Sequence, residues 1–355
     1  MEENRMIQRS SLAKGYRPIA GTDDNIILYH EGTLYLANSE GKKIQKILSL
    51  SPKTWKDRLR ITVRLFRREP KAAILVDHML FIAQHRKINL IDLDTKLGSV
   101  IATSNEGFTD PLGFCCAQDA DHIVLWGEYG SNEQRESVRI YGVTQDRMVE
   151  VIHTFPAGEI RHIHSIIPAH DGGYYIFTGD NEPHAGIYHA DKLFHSVQPV
   201  AYSSQQYRAV VGFDTDEGLL YATDAVNEPN FVYCLKKNGE LVKVCQLNGS
   251  CIYGTRCGTG FLFSTTVEPD ERNRGPLSWI SYKRGEGVLS SEVHLVHVDE
   301  NMNSQIIARL KKDWLPMKLF QYESIQFASG SQQKVWMYPV AVSNNDACTY
   351  CFGHR

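Results

Sequence analysis

Arg161-His-Ile-His-Ser-Ile-Ile167, Gly173-Tyr-Tyr-Ile-Phe-Thr-Gly-Asp180, Gly186-Ile-Tyr188 and the run 196–202 are followed at once by a second set of the same form. That set is Tyr207 to Phe213, Gly218-Leu-Leu-Tyr-Ala-Thr-Asp224, Phe231-Val-Tyr233 and Leu241 to Leu247. Each has a short apolar strand, a Gly or Asp turn, an aromatic-rich strand, a third strand carrying Tyr, and a polar hairpin into a fourth. Short strands rich in β-branched and aromatic residues, punctuated by turn residues and recurring at a fixed period, are the signature of a radial or stacked repeat.

The unit extends in both directions. Before it lie 28–50, then 73–103, then His122-Ile-Val-Leu-Trp-Gly-Glu-Tyr129 with 137–141 and 148–155; after it lie 252–310 and 320–350. That makes about seven copies of a unit of roughly 50 residues, the size of a four-stranded propeller blade. The expected fold is therefore all-β: one β-propeller over residues 19–355, preceded by an N-terminal arm over 1–18. Closing strands into a ring hides edges that would otherwise template aggregation.

Composition agrees with a globular protein of this kind. The 355 residues are 42% hydrophobic and 22% charged, with a formal net charge of −3. Such a balance excludes a polycationic nucleic-acid binder, so no nucleic acid is expected as partner. The first residues, Met1 to Tyr16, lack the apolar core of a secretory signal, and no apolar run is long enough for a spanning helix. A cytoplasmic protein, at most peripheral to the inner membrane, is expected. The eight cysteines are read as reduced thiols packing as small hydrophobes, with Cys348-Thr-Tyr-Cys351 lacking the second pair that a zinc site needs.

One segment breaks the repeat. Ser51-Pro52 opens a stretch to Arg68, with Pro70 beyond it, and this predicts an inserted helix over 51–70. At helical spacing Trp55, Leu59, Val63 and Phe66 share a face, while Lys53, Lys56, Arg60, Arg64, Arg67 and Lys71 form a basic stripe. Two readings follow. Either the apolar face packs on the blades and leaves the cations in solvent, or the segment 51–71 docks on an anionic membrane surface or an acidic protein.

The chemistry is read from a finer repeat, in which the second strand runs into an acidic loop: Trp126-Gly-Glu128-Tyr129, Thr178-Gly-Asp180-Asn181, Thr223-Asp224 and Thr265-Thr-Val-Glu268. In a propeller these loops open on the rim where the innermost strands begin, so they are expected to face Arg161, His162, His164, Tyr207 and Arg208. Carboxylates and imidazoles bind hydroxyls and serve as acid and base, Arg forks clamp a carboxylate, and aromatic faces stack on sugar rings. The catalytic candidates are His162, His164, Asp180 and Glu128. The binding candidates are Arg161, Arg208, Tyr207, Tyr129, Trp126, Asn181, Asp224 and Glu268. His162 and His164 alternate on one strand and so face one side. With no third ligand at metal spacing, no metal or other cofactor is expected. No P-loop, G-x-G-x-x-G, G-x-S-x-G or H-E-x-x-H motif is present.

From Arg139-Ile-Tyr-Gly-Val-Thr-Gln-Asp146 through His153-Thr-Phe-Pro-Ala-Gly-Glu-Ile-Arg-His-Ile-His164, Phe177-Thr-Gly-Asp-Asn181 and Tyr221-Ala-Thr-Asp224, the chain resembles the BNR-repeat, sialidase-like propeller proteins of bacterial polysaccharide loci. The resemblance implies a propeller, a bacterial source and a part in polysaccharide metabolism. Tyr141-Gly-Val-Thr-Gln-Asp-Arg and Tyr188-His-Ala-Asp-Lys-Leu-Phe lack the Gly and Trp of the Asp box S-x-D-x-G-x-T-W, so no sialidase catalytic role is carried over. Propeller polysaccharide lyases, which gather His, Tyr and Arg around a uronate, fit the same residues. The functional expectation is a carbohydrate-active propeller, glycoside hydrolase- or lyase-like, acting on or binding an anionic oligosaccharide or polysaccharide. The alternative is a non-catalytic scaffold or glycan sensor in a polysaccharide biosynthesis system.

Overall fold

The computed structural model describes residues 7–179, 182–258, 260–330 and 333–353. The chain is all-β, a seven-bladed propeller of four-stranded sheets with two small helices. Blade 1 spans Arg17–Ser49, blade 2 Ala72–Thr103, blade 3 Cys115–Phe155, blade 4 Ile163–Tyr202, blade 5 Ala209–Leu247 and blade 6 Cys251–Lys311. Blade 7 is built from Ser324–Phe327, Val335–Val340 and Tyr350–Phe352, and its outermost strand is the N-terminal Ile7–Arg9, paired antiparallel with Tyr350–Phe352. Part of the expected arm is thus a blade strand.

Burial falls from the inner to the outer strands and explains the sequence pattern. Second strands such as Met79–Gln84, Gly218–Thr223 and Val335–Val340 are buried at every position, whereas the fourth strand Leu97–Thr103 is largely exposed. A strand covered on both faces reads as a continuous apolar run, and an outer one as a polar run.

The chain divides into two compact units. In the unit holding blades 2–4, one core cluster joins Phe81, Val124, Trp126 and Val143, and another joins Phe155, Ile163, Ile176, Tyr188 and Phe194. In the unit holding blades 1, 6 and 7, Leu262, Leu295, Ile325, Met337 and Tyr350 pack together, as do Ile26, Leu28 and Trp336. All eight cysteines are free thiols, five of them buried. Burial pushes the thiols of Cys115 and Cys251 up, away from reactivity.

A β-bulge recurs at the start of the innermost strand in four blades: between Pro18 and Ala20, Ile163 and Ser165, Ala209 and Val211, and Cys251 and Tyr253. The extra residue is Ile19, His164, Val210 and Ile252 respectively. A bulge re-aims the side chains beside it, and only in blade 4 is the inserted residue ionisable.

The helix expected over 51–70 is in two short pieces, a 3₁₀ turn at Trp55–Asp57 and α1 at Arg60–Leu65. Thr54 rather than Ser51 caps it, because the Asp57 carboxylate turns back to accept from Thr54 N at 2.8 Å and Thr54 Oγ1 at 2.7 Å. Asp57 also holds Arg68 Nε at 2.7 Å, and this inward anchor ends the first turn.

The faces of the segment are reversed from expectation. Arg60 pairs with Glu69 and Asp346, both at 2.9 Å, and Tyr338 Oη donates to Glu69 at 3.0 Å. Arg64, its side chain 3% exposed, pairs with Asp313 and donates to the Phe320 carbonyl at 2.7 Å. Trp55 and Leu59 are instead 61% exposed, and Ile61 and Phe66 are exposed too. Buried carboxylates draw two cations of the stripe inward because a buried charge needs a partner. Val63, Arg60, Glu69 and Tyr338 line a cavity of about 220 Å³ beneath.

Candidate functional site

In the unit of blades 2–4 the structure brings together Tyr129, His162 and His164. The two imidazoles are buried, and the bulge in blade 4 lets both rings converge. Their Nε2 atoms are 3.0 Å apart. His162 Nδ1 meets the Gly130 carbonyl, and His164 Nδ1 meets the Ala209 carbonyl at 2.8 Å. A carbonyl only accepts, so both Nδ1 atoms carry hydrogen and both neutral rings present a lone pair at Nε2. Two lone pairs do not bond to each other. A proton or a cation between the two Nε2 atoms would satisfy both lone pairs.

Backbone hydrogen bonds tie the loops that follow the second strands of blades 3 and 4 to the start of the innermost strand of blade 4. Ile163 N–H donates to the Glu128 carbonyl at 2.8 Å, and Gly179 N–H donates to the His162 carbonyl at 3.1 Å. The Tyr129 ring lies 4.7 Å from the His162 ring and 6.1 Å from that of His164. Arg208 is buried immediately before Ala209, whose carbonyl holds His164. Tyr207 closes the 3₁₀ turn Gln205–Tyr207 beside it and is half-buried. Arg161 is half-buried, its Nε donating to the Ser131 carbonyl at 2.7 Å.

Two candidates lie elsewhere in this unit. The Glu128 carboxylate accepts from Asn105 Nδ2, from Tyr141 Oη at 3.0 Å and from Arg139 N at 2.8 Å. Trp126 stacks on Tyr141 with centroids 5.4 Å apart. Both line a separate cavity of about 140 Å³ with Asn105 and Thr109. Burial and the neighbouring Glu128 charge raise the Tyr141 hydroxyl. Asp180 and Asn181 lie outside the described residues.

The remaining candidates belong to the other unit. Asp224 is buried at the head of a loop pinned by Asn230, whose side chain bonds both Ala225 N at 2.9 Å and Ala225 O at 2.7 Å. Glu268 is buried and accepts from the Thr266 hydroxyl.

Sequence reasoning missed Glu323 and Arg17. Glu323 is fully buried, and burial pushes its carboxyl up to about 8 against the pull of Lys312, whose Nζ is 3.2 Å away. That ammonium is already shared with the Leu315 carbonyl at 2.6 Å, the Asp313 carbonyl at 2.9 Å and Asp313 Oδ1 at 3.1 Å. A signal was available: Tyr16-Arg17, Tyr207-Arg208 and Tyr322-Glu323 all pair an aromatic with a charge at the start of an innermost strand.

For a metal, the described residues offer one group of three ligands, His78, Asp92 and Asp94. The Asp92 carboxylate is occupied by turn N–H groups of Asp94 and Thr95 at 3.1 and 3.0 Å and by Arg147 at 3.0 Å, which is turn chemistry. His162 and His164 offer two convergent imidazoles whose Nδ1–H groups are held by carbonyls, the outer-shell arrangement metal-binding histidines use.

No protein-family model matches the chain, and no curated protein does. Among solved structures it is similar to an oligogalacturonate lyase from Vibrio parahaemolyticus, at 12% identity and TM-score 0.57 over 97% of this chain and 90% of that one. It is similar to an oligogalacturonate lyase in complex with manganese, at 11% identity and TM-score 0.56 over 99% and 90%. The extracellular domain assigned to a hybrid two-component system of B. thetaiotaomicron matches at 11% identity and TM-score 0.58, over 98% of this chain and 40% of that one. At these identities the likeness shows the propeller fold. Of the sialidase-like resemblance read from the sequence, the propeller fold is shown and the BNR/sialidase family itself is not.

Proposed function

We propose that this propeller binds and acts on an anionic, uronate-type oligosaccharide or polysaccharide, as a lyase. The observation that carries the reading is the buried His162–His164 pair, its Nε2 atoms 3.0 Å apart, with the Tyr129 ring against it and Arg208 next to its backbone anchor.

A uronate is cleaved by removing the C5 proton, which is acidic because it lies α to the carboxylate, and expelling the glycosidic oxygen from C4. An Arg fork on the carboxylate stabilises the developing charge, a role assigned to Arg208 and Arg161. A pair of imidazoles sharing one proton supplies both halves of the transfer. One ring takes the C5 proton and the pair returns a proton to the leaving oxygen, so the C4–O bond breaks, a C4=C5 bond forms and protons balance. Tyr129 offers a face for the sugar ring. The lyase neighbours act on an oligogalacturonate by their names, and that substrate class agrees with the residues here.

The test is turnover and binding on a panel of uronate- and sialate-containing oligosaccharides, followed by the ultraviolet absorbance of a double bond conjugated to a carboxylate. His162→Ala and Arg208→Ala are each expected to lower turnover by about 10²-fold or more, the scale of acid–base and charge-stabilising groups. Binding without turnover in the wild type would assign a glycan receptor. Silence across the panel would leave the scaffold.

A further inference from the structure

We propose that the face built by α1, the short helix α2 (Met317–Phe320) and the 3₁₀ turn Ser278–Ile280 seats on an anionic lipid bilayer. The inference does not depend on the carbohydrate reading.

The first observation is the reversed polarity of α1. Its cations Arg60 and Arg64 are spent on Glu69, Asp346 and Asp313, and Trp55, Leu59, Ile61 and Phe66 are left facing out. Trp55 and Phe66 meet edge-on at 5.4 Å, which holds the two rings as one exposed ridge. A water-facing element ordinarily turns these residues inward.

The second observation is independent of α1 in sequence. Gly275-Pro-Leu-Ser-Trp-Ile-Ser-Tyr282 interrupts blade 6 and exposes Leu277, Trp279, Ile280 and Tyr282. The two segments are joined through α2, which packs on both α1 and the 278–280 turn. Arg67 Nη2 donates to the Lys318 carbonyl at 3.3 Å, and Lys318 Nζ donates to the Asn273 carbonyl at 2.8 Å. Trp314, just before α2, is 78% exposed. Three of the chain's five tryptophans thus stand exposed on these segments, while Trp126 and Trp336 are buried.

Charge decides the occupant. Lys56 lies 4.5 Å over the Phe66 ring, and Arg58, Arg67, Arg274 and Lys318 border the apolar residues. Two acids of the turn are neutralised locally, Asp270 by Lys283 at 2.8 Å and Arg272 at 3.2 Å, and Glu286 by Arg272 at 2.7 Å. Trp and Tyr rings interleaved with Lys and Arg suit the headgroup boundary of an acidic leaflet, where apolar burial and attraction to lipid phosphates add.

The full chain would be sedimented with phosphatidylcholine vesicles and with vesicles that also contain phosphatidylglycerol, with tryptophan fluorescence recorded. Binding to the phosphatidylglycerol vesicles, weakened by salt and accompanied by a blue shift, is expected. Trp55→Ser with Trp279→Ser should lower the partition coefficient by roughly tenfold or more, as loss of two interfacial rings implies. Lys56→Glu with Arg67→Glu should abolish the preference for phosphatidylglycerol. Trp55, Trp279 and Arg67 are exposed and Lys56 is half-buried, and near-ultraviolet circular dichroism checks that both variants fold. Absence of binding, equal binding to neutral vesicles, or binding that neither variant changes would overturn the proposal. So would self-association that the tryptophan variant dissolves, since the face would then cover a second copy.

Discussion

Glu323 provides the sharpest energetic test of the structure. Its carboxyl is raised from an ordinary 4.5 to about 8 by burial, while Lys312 pulls the other way from 3.2 Å. Between these two values the folded chain keeps the proton and the unfolded chain has lost it. The unfolded state then binds fewer protons, so this residue makes stability fall as pH rises. The slope is about 1.4 kcal/mol per pH unit. Across the window from 4.5 to about 8 that amounts to about 5 kcal/mol. Below pH 4.5 both states are protonated and above 8 both are ionised, so the contribution is flat on either side. Glu323→Gln keeps the shape and removes the titration. Urea midpoints for wild type and variant at intervals from pH 5 to 9 give the difference, in which every other titrating group cancels. The wild type should lose ground to the variant steadily up to about pH 8 and then run parallel to it. A difference independent of pH, or a wild type that gains on the variant as pH rises, would mean an ionised Glu323–Lys312 pair and refute the reasoning.

Arg64→Met should cost about 1–3 kcal/mol in urea unfolding, because it leaves the Phe320 carbonyl without its donor and removes one of the two cations on Asp313, Lys312 remaining at 3.1 Å, and adding Asp313→Asn should recover part of that loss. Gly127→Ala would place a Cβ 2.5 Å from Ile163 Cβ; overpacking of this kind costs about 1–3 kcal/mol. Because Ile163 lies between His162 and His164, that variant should also shift both imidazole resonances in NMR. Burial pulls the His122 imidazole down, but its bonds to Glu150 and Asp119 win and raise it. Its contribution to stability is therefore present at low pH and lost as pH rises through the raised value, and Glu150→Gln should lower that value in an NMR titration.

The blades were legible in the sequence because the forces that make them are local. Tyr174, Ile176 and Thr178 alternate on one side of a strand, the glycines at 173 and 179 mark its ends, and the same pattern returns at Gly218–Thr223. The polarity of the 51–70 segment was not legible for the opposite reason. What pulls Arg60 and Arg64 inward are Asp346 and Asp313, which lie more than two hundred residues further along the chain. Helical periodicity can state that one face is basic and the other apolar, but not which is buried when carboxylates are waiting beneath. Glu128 shows the same limit at shorter range: its place at a strand end is local, and its capture by Asn105 and Tyr141 is tertiary.

The recurrent bulge ties the repeat to its chemistry. The residue just before the bulge is Arg17 in blade 1, His162 in blade 4, Arg208 in blade 5 and Ser250 in blade 6, and all four are buried. Blade 7 puts Glu323 at the matching strand start, without a bulge. A structural requirement of the bulge would ask for one residue type at this position, or for an apolar one. Instead a cation, an imidazole, a second cation, a hydroxyl and a carboxyl occupy it in turn, each carrying the cost of burying a polar group. Blade 4 goes further by making the inserted residue itself His164, where the other blades insert Ile19, Val210 and Ile252. Stability alone would favour an isoleucine or valine there too, and it is on this departure in blade 4 that the proposed chemistry rests.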